Sequence, residues 1–92
     1  MELYIIGATG LVGQEFIKLL ENYFFQKINF IASSQSAGKE IFFKNEKFVI
    51  KDFDSIKLED FSNNIFVNCS SSKLGLLLKE KISGKSILID NS

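Results

Sequence analysis

The chain has 92 residues, 46% hydrophobic and 24% charged, with 11 basic and 11 acidic side chains balancing to zero net charge. Such a composition makes one small globular domain, burying roughly two-thirds of its unfolded surface, and excludes a disordered polymer. The neutral balance removes the electrostatic basis for binding nucleic acid or an acidic membrane, and no apolar run is long enough to span a bilayer.

The single cysteine excludes an intrachain disulfide and fits a reducing compartment. Met1 leads directly into an apolar strand, leaving no room for a signal peptide, so a cytoplasmic location is expected. Histidine, arginine, proline and tryptophan are absent. Without histidine the usual general base near neutral pH is missing, and without arginine so is the bidentate clamp for carboxylate or phosphate.

In chain order, Leu3–Ile6 is a short apolar run, as expected of a strand buried on both faces. Gly7-Ala8-Thr9-Gly10-Leu11-Val12-Gly13 then forms a glycine-spaced turn leading into a helix over about residues 10–22. Gly7 permits the tight reversal, Gly10 lets backbone approach a diphosphate, and Gly13 lets the helix pack closely on the sheet. Val12, Phe16, Leu19 or Leu20, and Tyr23 give the predicted inward stripe, with Asn22 as its C-terminal cap.

Ile28 to Ala32 reads as a second strand, completing a βαβ unit. A polar loop over residues 33–39 follows. Ile41-Phe42-Phe43 and Phe48-Val49-Ile50 flank a predicted hairpin turn centred on Asn45-Glu46. Residues 52–61 form a charged connection, irregular or one-turn helical. Ile65 to Asn68 is another buried strand, and Ser70-Ser71-Ser72 starts a helix carrying Leu74, Leu77, Leu78 and Ile82 on one face and stopping before Gly84. A last strand covers Ser86 to Ile89. Phe24 and Phe25 read as core bulk, since no basic stripe accompanies them as a base-stacking platform would require.

Strands alternating with helices predict an α/β, Rossmann-like fold: a mostly parallel sheet with flanking helices and a small β-hairpin. Ligands on such sheets bind beyond the carboxyl ends of the strands, so the loops 7–13, 33–39 and 69–72 should converge, with Asn91-Ser92 as a fourth contributor. The anion of a dinucleotide would rest on the amides that open the first helix. An NAD site usually places an acid about twenty residues past the glycines. Here the second strand ends Ala32-Ser33-Ser34-Gln35-Ser36, with Lys39 close behind. Hydroxyls and a cation without a carboxylate tolerate a 2′-phosphate, which favours NADP while leaving NAD open.

Gly7-Ala8-Thr9-Gly10-Leu11-Val12-Gly13-Gln14-Glu15, Ala32-Ser33-Ser34-Gln35-Ser36-Ala37-Gly38-Lys39 and Ile89-Asp90-Asn91-Ser92 together resemble the N-terminal part of bacterial aspartate-semialdehyde dehydrogenases. The resemblance covers essentially the whole chain. It implies that residues 1–92 are part of an N-terminal NAD(P)-binding domain, incomplete and without the catalytic and dimerisation domain. The activity it implies is reversible, NADP-dependent reductive dephosphorylation of aspartyl phosphate to aspartate semialdehyde, on the route to lysine, threonine and methionine.

By the same resemblance, Thr9, Gly10, Leu11 and Val12 line the cofactor diphosphate, with Gly7 and Gly13 shaping the turn. Ser33 and Ser36 sit by the adenosine 2′-phosphate. Ser70 to Ser72 stand where the family has a small, glycine-rich stretch beside the cofactor, Ser70 and Ser71 being the expected cofactor contacts. Gln35 occupies a position where many members have arginine, which implies weaker NADP selectivity.

The resemblance also implies a catalytic cysteine, a histidine and substrate-binding arginines, and none of these is matched within the chain. Asn68-Cys69-Ser70 imitates the family's catalytic motif, but it falls at the cofactor loop's place and no histidine exists to activate the thiol. No catalytic residue is therefore assigned. Asp52, Asp54, Glu59 and Asp60 read as a solvated charged face rather than a metal site. The expected partners are a dinucleotide and a separate chain carrying the missing catalytic domain, with neither nucleic acid nor membrane. The alternatives are a stand-alone nucleotide-binding module and a non-functional remnant of such an enzyme.

Overall fold

A computed structural model describes residues 1–24 and 27–92. The elements run β1 (Leu3–Ile6), α1 (Leu11–Leu20), β2 (Ile28–Ala32), β3 (Glu40–Phe43), β4 (Glu46–Val49), β5 (Lys51–Asp52), two short 3₁₀ turns (Phe53–Ser55 and Leu58–Phe61), β6 (Ile65–Asn68), α2 (Ser72–Lys81) and β7 (Ile87–Asp90). Five strands form one sheet in the order β5-β2-β1-β6-β7, every neighbouring pair parallel. Strands β3 and β4 make a separate antiparallel hairpin. Among the described residues no helix is long and apolar enough to cross a membrane.

β1 lies at the centre of the sheet and all four of its residues are buried. Because side chains alternate across a strand, it feeds two cores. Leu3 and Ile5 point toward α1 and the hairpin, packing with Ile17, Leu20, Phe30, Phe43 and Val67. Tyr4 and Ile6 point toward α2 and the 3₁₀ turns, packing with Ile31, Phe61, Phe66 and Leu78. On that second face the Phe66 ring stacks on Tyr4 at 4.8 Å and on Phe61 at 5.4 Å between centroids.

Several sequence expectations shift. The inward stripe of α1 is Gly13, Ile17 and Leu20, with Phe16 partly buried against the same core; Phe16 and Leu20 were expected there, while Val12, Leu19 and Tyr23 face outward, Leu19 at 66% and Tyr23 at 63% exposure. Gly13 faces the preceding turn, and the residues four and seven places on must share its side of the helix. The helix ends with Glu21 as its C-cap, one residue before Asn22.

The hairpin turn is centred on Lys44-Asn45, not Asn45-Glu46. Both have positive φ, 53° and 62°, and Phe43 pairs directly with Glu46. Two successive left-handed residues match the strand twist in a two-residue turn, and asparagine adopts that conformation readily. Phe24 is exposed rather than core, and Phe25 lies outside the described residues.

On the α2 face Leu78 is fully buried, Leu74 and Ile82 partly so, and Leu77 stays outward. The edge strand β7 runs one residue later than predicted, and its Ile87 and Ile89 remain exposed.

Truncating Phe66 to alanine should cost about 3–5 kcal/mol in urea unfolding, since a fully buried ring is removed from between two others. Phe42→Ala, on the exposed side of the hairpin, should change stability by no more than about 0.5 kcal/mol. Equal losses from both would contradict this division between core and surface.

Burial, reinforced by the negative charges of Asp60 and Glu2, pushes the Tyr4 hydroxyl up to about 12. The folded state therefore holds this proton more tightly than the unfolded chain, whose tyrosine titrates near 10. The Tyr4 contribution is complete below about pH 10 and is lost as pH rises from about 10 to about 12. Urea midpoints measured across that window should fall for the wild type, and fall less for Tyr4→Phe.

Candidate functional site at the carboxyl ends of the strands

The turn after β1 is held from two directions. The N–H groups of Gly7 and Ala8 both donate to the Ile31 carbonyl, at 2.9 and 3.1 Å, tying the turn to β2. Gly7 itself has φ +84°, and a Cβ there would stand 3.0 Å from the backbone of Cys69 and Ser70. Only glycine satisfies both the left-handed backbone and this approach to the turn after β6. Gly13 packs so closely that a Cβ would overlap the Gly7 carbonyl oxygen. Gly10 differs: its Cβ would meet only the Gly7 oxygen, at 3.6 Å, leaving open space beside it.

Gly10 is the N-cap of α1 and offers no side-chain cap. Among the described residues the N–H groups of Leu11, Val12 and Gly13 have no hydrogen-bond partner. By contrast, α2 is capped by Ser71, whose Oγ accepts from the Leu74 N–H at 3.2 Å. α1 thus leaves its first three amides and the positive end of its dipole available to an anion, with no side-chain cap competing for them.

Beside this terminus lies a groove of about 500 Å³, lined by Gly7, Thr9 and Gly10 after β1, Ser33 and Ser34 after β2, Asp52 to Asp54 after β5, and Cys69 and Ser70 after β6. It sits at the carboxyl ends of β1, β2, β5 and β6, where the strand order reverses around β1. That is the position at which open α/β sheets bind ligands.

Of the residues singled out in the sequence, the groove brings together Gly7, Thr9, Gly10, Ser33 and Ser70. Leu11, Val12, Gly13, Ser36 and Ser71 lie outside its lining. Leu11 points to solvent at 84% exposure, so any contribution from it is through backbone. Ser36 reaches the site indirectly, its Oγ accepting from the Thr9 hydroxyl at 3.5 Å. Lys39 does not line the groove.

Two features escaped the sequence reading. One is the acidic wall of Asp52 and Asp54. The other is Asn68, a fully buried polar side chain ending β6. Its Nδ2 donates to the Ser71 carbonyl at 2.8 Å and to Asp90 Oδ1 at 3.1 Å, and its Oδ1 accepts from the Ser70 N–H at 3.0 Å. This amide fixes the turn that forms one wall of the groove and ties it to the end of β7. Hydrogen bonds from Ser92, with further help from Asn68 and Lys79, hold the Asp90 carboxyl below the usual carboxylate range. A polar residue closing an otherwise apolar strand was the available signal for Asn68.

Cys69 is 6% exposed, and burial pushes its thiol pKa up. A proton held this way opposes the thiolate that nucleophilic chemistry needs. Among the described residues no cluster of histidine, cysteine and carboxylates could hold a metal ion.

Parallel strand order, glycine turn and switch-point groove place the molecule among the nucleotide-binding α/β domains. The particular family follows from comparison with known proteins: residues 2–92 match the family described as semialdehyde dehydrogenase, NAD binding domain, and the chain belongs to it. It is 28% identical to the aspartate-semialdehyde dehydrogenase of Bacillus subtilis and 31% identical to that of Prochlorococcus marinus, each over 94 aligned residues. Those alignments take in all of this chain and 27% of each relative, so the chain spans about a quarter of their length. The Helicobacter pylori enzyme is 59% identical over 39 residues, covering 40% of this chain.

The fold is shared with a crystal structure of aspartate semialdehyde dehydrogenase II from Vibrio cholerae, solved in complex with ASA. That likeness has a TM-score of 0.82 at 21% identity and covers 99% of this chain and 30% of the other.

Gly13→Ala should force α1 away from the Gly7 carbonyl and lower stability by about 1–3 kcal/mol, read as a shift in urea midpoint. A variant as stable as wild type would show that the helix is not seated on the turn.

Proposed function

We propose that residues 1–92 hold the nicotinamide dinucleotide of an aspartate-semialdehyde dehydrogenase, NADP with NAD also admitted. The observation that carries this reading is the uncapped start of α1, opening beside a groove at the switch point of the sheet in a chain of this family. The amides of Leu11, Val12 and Gly13 are free to receive the pyrophosphate, and the missing Cβ at Gly10 leaves room for it. Ser33 and Ser34, with Ser36 behind Thr9, supply hydroxyls toward the adenosine ribose, and these support NADP as the cofactor. When bound, the dinucleotide supplies or takes up hydride.

The whole enzyme would convert aspartyl phosphate reversibly to aspartate semialdehyde. Residues 1–92 contribute binding and orientation to that reaction, not the acyl chemistry. They contain neither histidine nor arginine, and their one cysteine holds its proton in a buried position. The attacking thiolate, the proton-transferring base and the anion clamps would be supplied by sequence outside this stretch.

Calorimetric titration of the purified chain should give saturable NADPH binding. Gly10→Ala should weaken it about tenfold, close to 1.4 kcal/mol, while leaving the melting temperature nearly unchanged. No saturable binding to wild type, or an unaffected Gly10→Ala variant, would overturn the proposed site. The chain alone should show no phosphate-dependent oxidation of aspartate semialdehyde.

A further inference from the structure

One wall of the groove comes from neither the glycine turn nor the serine loop. β5 lies against β2 with Lys51 opposite Ile31 and Asp52 opposite Ala32. The strand therefore delivers Asp52, Phe53 and Asp54 to the carboxyl end of β2, alongside Ser33 and Ser34. In dinucleotide-binding sheets a carboxylate at the end of the second strand accepts from the ribose 2′-hydroxyl. Here β2 ends in alanine and serines, and its neighbour brings the acid instead.

The pair is well placed to act on a ligand. Asp52 is held in position as the cap of the 3₁₀ turn Phe53–Ser55. Its Oδ1 accepts from the Asp54 N–H at 3.0 Å, and its carbonyl accepts from the Ser55 hydroxyl at 2.6 Å. Phe53 between them packs toward the second core, which anchors the segment while Asp54 stays exposed. Among the described residues the ion pairs are Lys18–Glu15, Lys27–Glu2 and Lys47–Glu40, so neither aspartate is held in an ion pair. A phosphate monoester carries about −1.5 to −2 charges at neutral pH. On the adenosine 2′-oxygen it would share one groove with both carboxylates.

We propose that Asp52 and Asp54 set the cofactor selectivity of this groove, accepting from the ribose hydroxyls of NADH and repelling the 2′-phosphate of NADPH. The inference rests on the groove being the dinucleotide site. The hydroxyls of Ser33 and Ser34 admit the 2′-phosphate and the carboxylates oppose it, so the two cofactors bind within about tenfold of each other.

Dissociation constants for NADH and NADPH, measured on the wild-type chain and on Asp54→Asn and Asp52→Asn, test this directly. Asparagine keeps the size of the side chain and, at position 52, its capping oxygen. Each variant should shift the NADPH-to-NADH affinity ratio toward NADPH, by about tenfold for Asp54→Asn. Raising salt should shrink the difference between wild type and variant, because the repulsion is screened. Saturable binding of both cofactors with ratios unmoved by either substitution would overturn the inference and leave the dinucleotide site standing. A wild-type preference for NADPH above about a hundredfold would also overturn it. Failure of both cofactors to bind wild type and variants alike would remove the site itself and the selectivity with it.

Discussion

The contact between Gly13 and the Gly7 carbonyl constrains more of this molecule than any other. Because no Cβ separates helix from turn, α1 seats directly on the end of the central strand. The seat fixes the rotation of the helix, which is why Ile17 and Leu20 enter the core while Leu19 and Tyr23 face water. It also fixes where the helix begins, and so where its unpartnered amides open. The packing of the helix and the position of its open amides are consequences of one missing side chain.

The rest of the groove depends on β1 being central. Its neighbours β2 and β6 end at the same level, so the turns that follow all three strands meet above the sheet. Hydrogen bonds then lock the meeting point. The Gly7 and Ala8 amides reach to Ile31, and the Asn68 side chain organises the Ser70–Ser71 turn from beneath. A buried amide with all of these bonds made specifies one arrangement, because leaving any of them unmet in the interior is costly. The groove is thus rigid on the β1 and β6 sides and is closed on the third by a short strand of only two residues, β5.

Much of this was readable from residues alone. The boundaries of β1 and β2 and the start of the second helix near Ser71 were legible because apolar runs, glycines and a serine cap are local signals. The glycine turn announced its ligand class for the same reason. The phase of α1 was legible only in part: Phe16 and Leu20 were read as inward, but so were Val12 and Tyr23, and the seat of Gly13 is what turns those two outward and brings Ile17 in. The hairpin turn slipped by one residue, since Lys44-Asn45-Glu46 offers no glycine to mark which pair adopts left-handed backbone. Asp52 and Asp54 were read as a solvated face, which their flanking lysines suggested.

By itself the sequence determined the class of domain, the glycine turn that opens α1 and the absence of histidine and arginine for acid–base or clamping work. These follow from residue type and short spacing, which act within one turn or strand. The tertiary structure alone decided which charges border the groove. Asp52 stands opposite Ala32 because a strand twenty residues away in sequence pairs with β2, and pairing between distant strands leaves no local pattern to read. The carboxylate missing from the end of β2 is supplied across the sheet, and only the fold brings it there.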